Sequence, residues 1–239
     1  MPDPLFLLIA GTAVILGAVL QTGVGLGLGL VAAPVVVVLD PTLMPGALLI
    51  ATAVLPMLTL TAEWRHIDWR GLAWGLPARI PGSAAGAWVV AAADPAQLGV
   101  VVGIMVLAAV GLSLWSVRVR ITPATLMAAG AVSGLTSTAT SIGGPPVALL
   151  YQHEPGEKVR GTLAGFFLFG VAISLGVLAA AGQLHAREVQ AGLWLVPFVA
   201  AGFVTGRRLN RFLDAGRMRA ALLAVVAVSG AALVAQALL

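Results

Sequence analysis

Seven runs without a single charged residue dominate the sequence, at positions 5–39, 41–62, 95–117, 121–152, 161–185, 189–206 and 220–239. An eighth, 71–93, is interrupted only by Arg79. Six of the eight are close to the ~20 residues that carry a helix across ~30 Å of hydrocarbon. With 60% apolar residues, 9% charged residues and a mean hydropathy of +1.04, the chain cannot coat a globule in water. Soluble domains carry roughly 25% charged residues. The pattern therefore predicts an all-α, polytopic membrane protein with lipid as its outer solvent.

The runs at 5–39 and 121–152 are too long for one crossing, since at ~1.5 Å per residue each would reach about 50 Å. Each also carries its own breaker. The first holds Gly23-Val-Gly-Leu-Gly-Leu-Gly29 followed by Pro34, and the second holds Thr136-Ser-Thr-Ala-Thr-Ser-Ile-Gly-Gly-Pro-Pro146. Both read as two shorter helices joined at depth.

The two halves overlay. Pro77, Gly82, Gly86 and Asp94 return 120 residues later as Pro197, Gly202, Gly206 and Asp214, and Gly17-Ala18-Val19 returns 113 residues later as Gly130-Ala131-Val132. Pro34 matches Pro146, and Thr52 matches Thr162, at slightly shorter spacings. The expected division is a first membrane repeat over 1–120 and a second over 121–239.

Charge placement then sets topology. If all eight runs cross once, the basic residues of the connections divide seven against five, which is no signal. If the fifth run enters and returns, Arg65, Arg70, Arg118, Arg120, Lys158, Arg160, Arg207, Arg208, Arg211, Arg217 and Arg219 share one side, against Arg187 alone. Cytoplasmic connections are enriched in Lys and Arg. The expectation is two inverted repeats, each with three membrane-spanning helices and one broken, re-entrant hairpin, and with both termini outside. The start, Met1-Pro2-Asp3-Pro4, lacks the basic region of a signal peptide, so residue 5 onward is read as part of the membrane domain.

Inverted halves with interrupted helices favour a site at the midplane, because exposed backbone at that depth is tolerated only against protein or a watery cavity. A half-helix that begins there offers unpaired N–H groups and partial positive charge to an anion. The candidate ligands are Gly23, Gly25 and Gly27 of the first break and Gly143 and Gly144 of the second, with hydroxyls from Thr22, Thr136, Ser137, Thr138, Thr140 and Ser141. The competing reading is that the glycines serve close helix packing and the hydroxyls satisfy backbone. Arg79 has no embedded carboxylate to pair with, which suits an anionic substrate; snorkelling toward a headgroup is the alternative.

Other chemistry is not indicated. The scattered basic residues, at a net charge of +4, form no nucleic-acid face. Glu63, Asp94, Glu154, Glu157, Glu188 and Asp214 lie at segment ends, which argues against a carboxylate relay, and His66, His153 and His185 are peripheral rather than metal ligands. No nucleophile-and-base constellation appears, so neither an enzyme nor a cofactor or metal is expected. The sequence Trp64-Arg-His-Ile-Asp-Trp-Arg70 reads as an interfacial anchor.

The Gly-rich segment from Gln21 to Pro34, the Thr52 helix with its basic turn at Arg65 to Arg70, Pro77 to Gly86, Gly143-Gly-Pro-Pro146 and Arg160-Gly-Thr162 together resemble the sulfite exporter TauE/SafE family of bacterial membrane proteins. The likeness covers essentially the whole chain. It implies a multi-pass protein of the bacterial inner membrane that exports a small sulfur-containing anion, of the sulfite or organosulfonate class, by secondary transport. It also carries a substrate-binding role to Gln21 and the matching glycine turns, and to Thr52 and Thr162. Arg79 matches no family motif. Partners are then the anion and the bilayer, with the coupling ion and homo-oligomerisation left open. A passive anion channel and a non-transporting scaffold subunit remain the alternatives.

Overall fold

The computed structural model describes residues 3–114 and 119–209, together with 223, 224, 226–228, 230 and 231. The readings placed on Arg118, Arg211, Asp214, Arg217 and Arg219, and most of the run at 220–239, lie outside the described residues. Among the described residues nine α-helices are delimited: α1 (Pro4–Val24), α2 (Leu28–Leu39), α3 (Gly46–Glu63), α4 (Trp69–Ala92), α5 (Pro95–Leu114), α6 (Pro123–Thr140), α7 (Gly144–Tyr151), α8 (Gly156–Ala180) and α9 (Ala186–Leu209). Among the described residues there is no strand.

Among the described residues four stretches are long and apolar enough to cross a bilayer: Pro4–Gly23, Gly46–His66, Gly156–Ala180 and Ala186–Leu209. The chain is a multi-pass membrane protein. Helix α4 has the length as well, about 36 Å at 1.5 Å per residue, but it carries Arg70 and Arg79.

The helix starts follow from capping chemistry. Asp3 accepts from Leu5 N ahead of Pro4, Asp68 accepts from Gly71 N, and Thr122 and Thr125 close a reciprocal capping box around Pro123. Such side chains satisfy N–H groups that the first turn leaves without partners. Both long runs break where the chain turns left-handed, at Gly25 with φ 87° and at Ser141 with φ 62°.

The breaks are less even than two short helices joined midway. Helices α1 and α6 have 21 and 18 residues, whereas the returning α2 and α7 have 12 and 8. No proline lies between the first turn and the left-handed residue in either first arm, so each continues as helix up to that turn. The matching of Pro34 with Pro146 also fails as an equivalence: Pro34 lies inside α2, while Pro146 is the third residue of α7. Thr52 and Thr162, by contrast, are each the seventh residue of their helices, α3 and α8.

Glycines set how closely the helices approach. A methyl on Gly82 would lie 2.0 Å from the Ala131 carbonyl, and one on Gly86 would lie 2.6 Å from that of Leu135. These contacts advance together along α4 and α6, so the two run parallel. Gly202 meets Ile15 and Ala18, and Gly206 meets Val19 and Thr22, so α9 runs parallel to α1. Helices α3 and α8 run oppositely, since Glu63 at the end of α3 bonds Arg160 at the start of α8 and Leu49 packs in one cluster with Leu178.

One end of the bundle gathers basic connections, tied by Arg160 to Glu63, His66 to Glu157, Lys158 to Glu154 and Tyr151 to Asp68. The other end holds Arg187 on Asp40, and Glu188 accepting from Gly46 N at the head of α3. Two large apolar clusters fill the interior, one around α1, α2, α3, α5 and α9 and one around α4, α6, α7 and α8, with a smaller third of Leu49, Ala87, Val171 and Leu178.

Candidate functional site

Where the two clusters meet, a narrow cavity of about 40 Å³ is lined from both breaks at once. Gln21, Gly27, Gly29 and Leu30 come from the first break, and Ser137, Ser141, Gly143 and Gly144 from the second. Thr52, Arg79, Phe167 and Val171 complete the wall. Arg79 is the eleventh of the 24 residues of α4 and Phe167 the twelfth of the 25 of α8, which places the cavity midway along both helices. A water-sized sphere takes roughly 10–15 Å³ by this measure, so the space suits a compact solute of a few heavy atoms.

The breaks overlap rather than abut. A methyl on Gly29 would lie 2.4 Å from the Ser141 carbonyl, so the head of α2 rests directly on the turn that ends α6. That turn is held by Ser141, whose Oγ donates to Pro45 O at 2.9 Å while its N–H donates to Ser137 O. Across the first gap, Leu28 N donates to Gln21 Oε1 at 2.9 Å.

Neither half-helix has a side-chain cap at its head, where Gly27 and Gly143 stand. In α2 the Leu28 donor is taken by Gln21, which leaves the N–H groups of Gly29 and Leu30 at the cavity wall. In α7 the second and third residues are Pro145 and Pro146, which have no N–H. The second break therefore supplies fewer backbone donors, and the side chains around it supply more.

Arg79 is the largest of these side chains and is only 1% exposed. Its Nη1 donates to Ser133 Oγ at 2.8 Å and its Nη2 to Ser174 Oγ at 3.4 Å. Ser133 Oγ in turn donates to Gly143 O, and Thr138 Oγ1 donates to Ser174 Oγ at 2.9 Å. The guanidinium lies over the Phe166 ring, 5.2 Å from its centre. Its Nε and the nearby Ser83 Oγ are buried without a partner, and among the described residues no carboxylate pairs with it. Burial at this depth answers the snorkelling alternative: the side chain points inward among serines. Among the described residues the guanidinium thus has hydroxyl neighbours and no carboxylate in contact, a costly arrangement at depth.

The remaining candidates fall elsewhere. Thr22 donates to Ala18 O, Thr136 to Val132 O and Thr140 to Thr136 O, each satisfying its own helix. Gly23 and Gly25 lie outside the cavity wall, as does Thr138, which is linked to Arg79 through Ser174. Thr162 accepts from Asp68 N at 3.0 Å near the basic end, away from the cavity. Thr52 lines the cavity while donating to Leu49 O. Ser133, Ser174, Phe166 and Phe167 escaped the sequence reading. Ser133 was legible as the residue one turn before Ser137 on α6; Ser174 and the phenylalanines carried no signal in apolar sequence.

A family model described as Sulfite exporter TauE/SafE matches residues 9–233. No curated protein and no solved structure matches the chain.

Proposed function

The chain belongs to the sulfite exporter TauE/SafE family, a family of membrane transporters of sulfur anions, and from that premise we propose that it is a secondary transporter moving a small oxyanion of the sulfite class through the central cavity by alternating access. One observation carries the reading: Arg79 is buried without a carboxylate partner among the described residues, at a cavity lined by the heads of two half-helices. Helix N-termini and a guanidinium both favour anions, and their field is strong where water is scarce. The oxyanion would take donors from Gly29 and Leu30 N–H, the Ser137 hydroxyl and the free edge of Arg79 in place of its hydration shell, while the Ser141 hydroxyl stays on Pro45 O.

Two inverted halves, roughly 1–120 and 121–239, support alternating access in this proposal. The parallel pairs α4 with α6 and α1 with α9, and the opposed pair α3 with α8, fit an assignment of α1 to α6, α3 to α8 and α4 to α9 as equivalents. The gathering of Arg65, Arg70, Arg120, Lys158 and Arg160 at one end supports a cytoplasmic placement for that end in the inner membrane, with the N-terminus outside. Transport is then outward from the basic end. A cavity of about 40 Å³ is no continuous aqueous path, which favours a carrier over an open channel.

The test is sulfite flux in proteoliposomes holding the purified chain. Saturating flux with counterflow is expected. Unitary currents would establish a channel, and no flux at all would leave the scaffold reading.

A further inference from the structure

A second cavity, about 10 Å³, lies beside the central one toward the basic end and reaches Gly25, Thr59 and Arg160. Gln21 and Phe167 line both cavities and so form the partition between them. Gly25 brings the hairpin tip onto this spot, since a methyl there would lie 3.3 Å from Leu163 and 3.8 Å from Arg160 Cγ.

Arg160, in the second turn of α8, donates from Nε to Glu63 Oε1 at 2.7 Å. The two side chains are 32% and 16% exposed, so the pair stands at a boundary between water and interior. The terminal nitrogens of Arg160 make no hydrogen bond among the described residues, and Glu63 Oε2 is buried without a partner. A guanidinium matches a carboxylate or an oxyanion best through two parallel bonds. Here the carboxylate holds it by one edge only, and the two-nitrogen face remains available.

We propose that Arg160 is a second anion-binding position, an entry station between the basic end and the central cavity, at which an incoming oxyanion competes with Glu63 for the guanidinium before passing Gln21 and Phe167. The inference rests on the transport reading above. Glu63 keeps Arg160 extended toward the path in the absence of substrate, and it limits how tightly the anion is held there, which release into the central cavity requires.

Sulfite transport in membrane vesicles of both orientations tests this, with R160Q, R160K and E63Q. With sulfite supplied from the Arg160 side, R160Q raises KM about tenfold, the scale of one lost charge-assisted hydrogen bond, and changes the maximal rate by less. E63Q lowers KM from that side by roughly threefold, as the competitor is removed. R160K, which keeps the charge, lies nearer to the native protein than R160Q does. Supplied from the opposite side, sulfite shows the smaller KM change in each variant. An unchanged KM in R160Q, or R160Q and E63Q raising KM alike as loss of a structural ion pair would, overturns the entry station. Should R160Q fail to accumulate, E63Q decides alone: a KM unchanged or raised overturns it. Absence of saturable transport by the native chain strikes the transporter reading instead.

Discussion

The two helix breaks solve one geometric problem with different chemistry. Both turn left-handed, at Gly25 and Ser141, and both restart behind a glycine, at Gly27 and Gly143. The first break is nearly bare backbone, with Gln21 closing the gap and two N–H groups left at the cavity. The second is dressed in hydroxyls, its prolines cancel two donors, and it leans on Arg79 of α4 through Ser133. On the opposite pair the residue 120 positions after Arg79 is Val199, fully buried in the apolar cluster with α1. Charge has thus been installed on one side of the cavity alone, where the backbone offers least. An anion there would be held by peptide dipoles from one break and by a side-chain charge network from the other.

The largest effect expected from breaking this division is at Arg79. R79Q removes the one cation that the described residues place at the cavity wall, and sulfite flux should fall by at least about a hundredfold, as when a buried charge-assisted contact is lost. R79K keeps the charge but not the planar fork that reaches Ser133 and Ser174, and should recover only a minor part. V199A, 120 positions on, should cost stability of roughly 1.5–3 kcal/mol through the cavity it leaves, with flux nearly kept. Flux that survives R79Q would place the anion on the first break alone.

Next in size is the seam where the breaks touch. In G29A the new methyl meets the Ser141 carbonyl at 2.4 Å, backbone against backbone, so one hairpin must shift. Loss of both flux and thermal stability in detergent is expected, of the order of 2–3 kcal/mol for overpacking. G99A is the contrast, since its nearest contact is an ordinary 3.5 Å from Val37. A G29A protein with native stability would mean that the hairpin tips are not pressed together.

The left-handed turns offer a finer comparison. Ser141 is a non-glycine residue at φ 62°, a conformation that costs about 1–2 kcal/mol. S141G relieves that cost while losing the bond to Pro45 O, so the net change in stability should be within about 1 kcal/mol. G25A incurs the strain with nothing gained and should destabilise by about 1–2 kcal/mol. Thermal unfolding of the two variants side by side reads the difference directly.

Much of this was legible before any coordinates. Charge-free runs are long because lipid leaves no alternative, and two of them overran one crossing, which located both breaks. Gly82 and Gly86 pack on α6 and Gly202 and Gly206 on α1, contacts that the sequence alone did not assign. What the residues could not reveal was three-dimensional. Thr52 and Thr162 share a register position, yet only Thr52 reaches the cavity, because Thr162 is drawn to the Asp68 backbone at the head of α4. A run of hydroxyls likewise says nothing of which face each occupies. Ser174 is a single serine in an apolar helix, and its role emerges only when α4 and α6 bring Arg79 and Thr138 to it.

That facing problem supplies the smallest and most discriminating prediction. Within the second break, residues 136 to 141 carry five hydroxyls, but the helix turn sorts them. Ser137 and Ser141 line the cavity, four residues apart on one face, while Thr136 and Thr140 bond carbonyls of their own helix. S137A should therefore raise the KM for sulfite about three- to tenfold, the cost of one hydrogen bond of about 0.5–1.5 kcal/mol to an anion in a dry site. T136A and T140A should change KM by less than about twofold, since each removes a bond that competes with the helix rather than with substrate. Equal effects at Thr136 and Ser137 would mean that the break supports the anion through the stability of α6 as a whole, and that its hydroxyls bind nothing. Unequal effects of the expected sign would put one hydroxyl of the second break beside the backbone donors of the first, as two unlike halves of one anion shell.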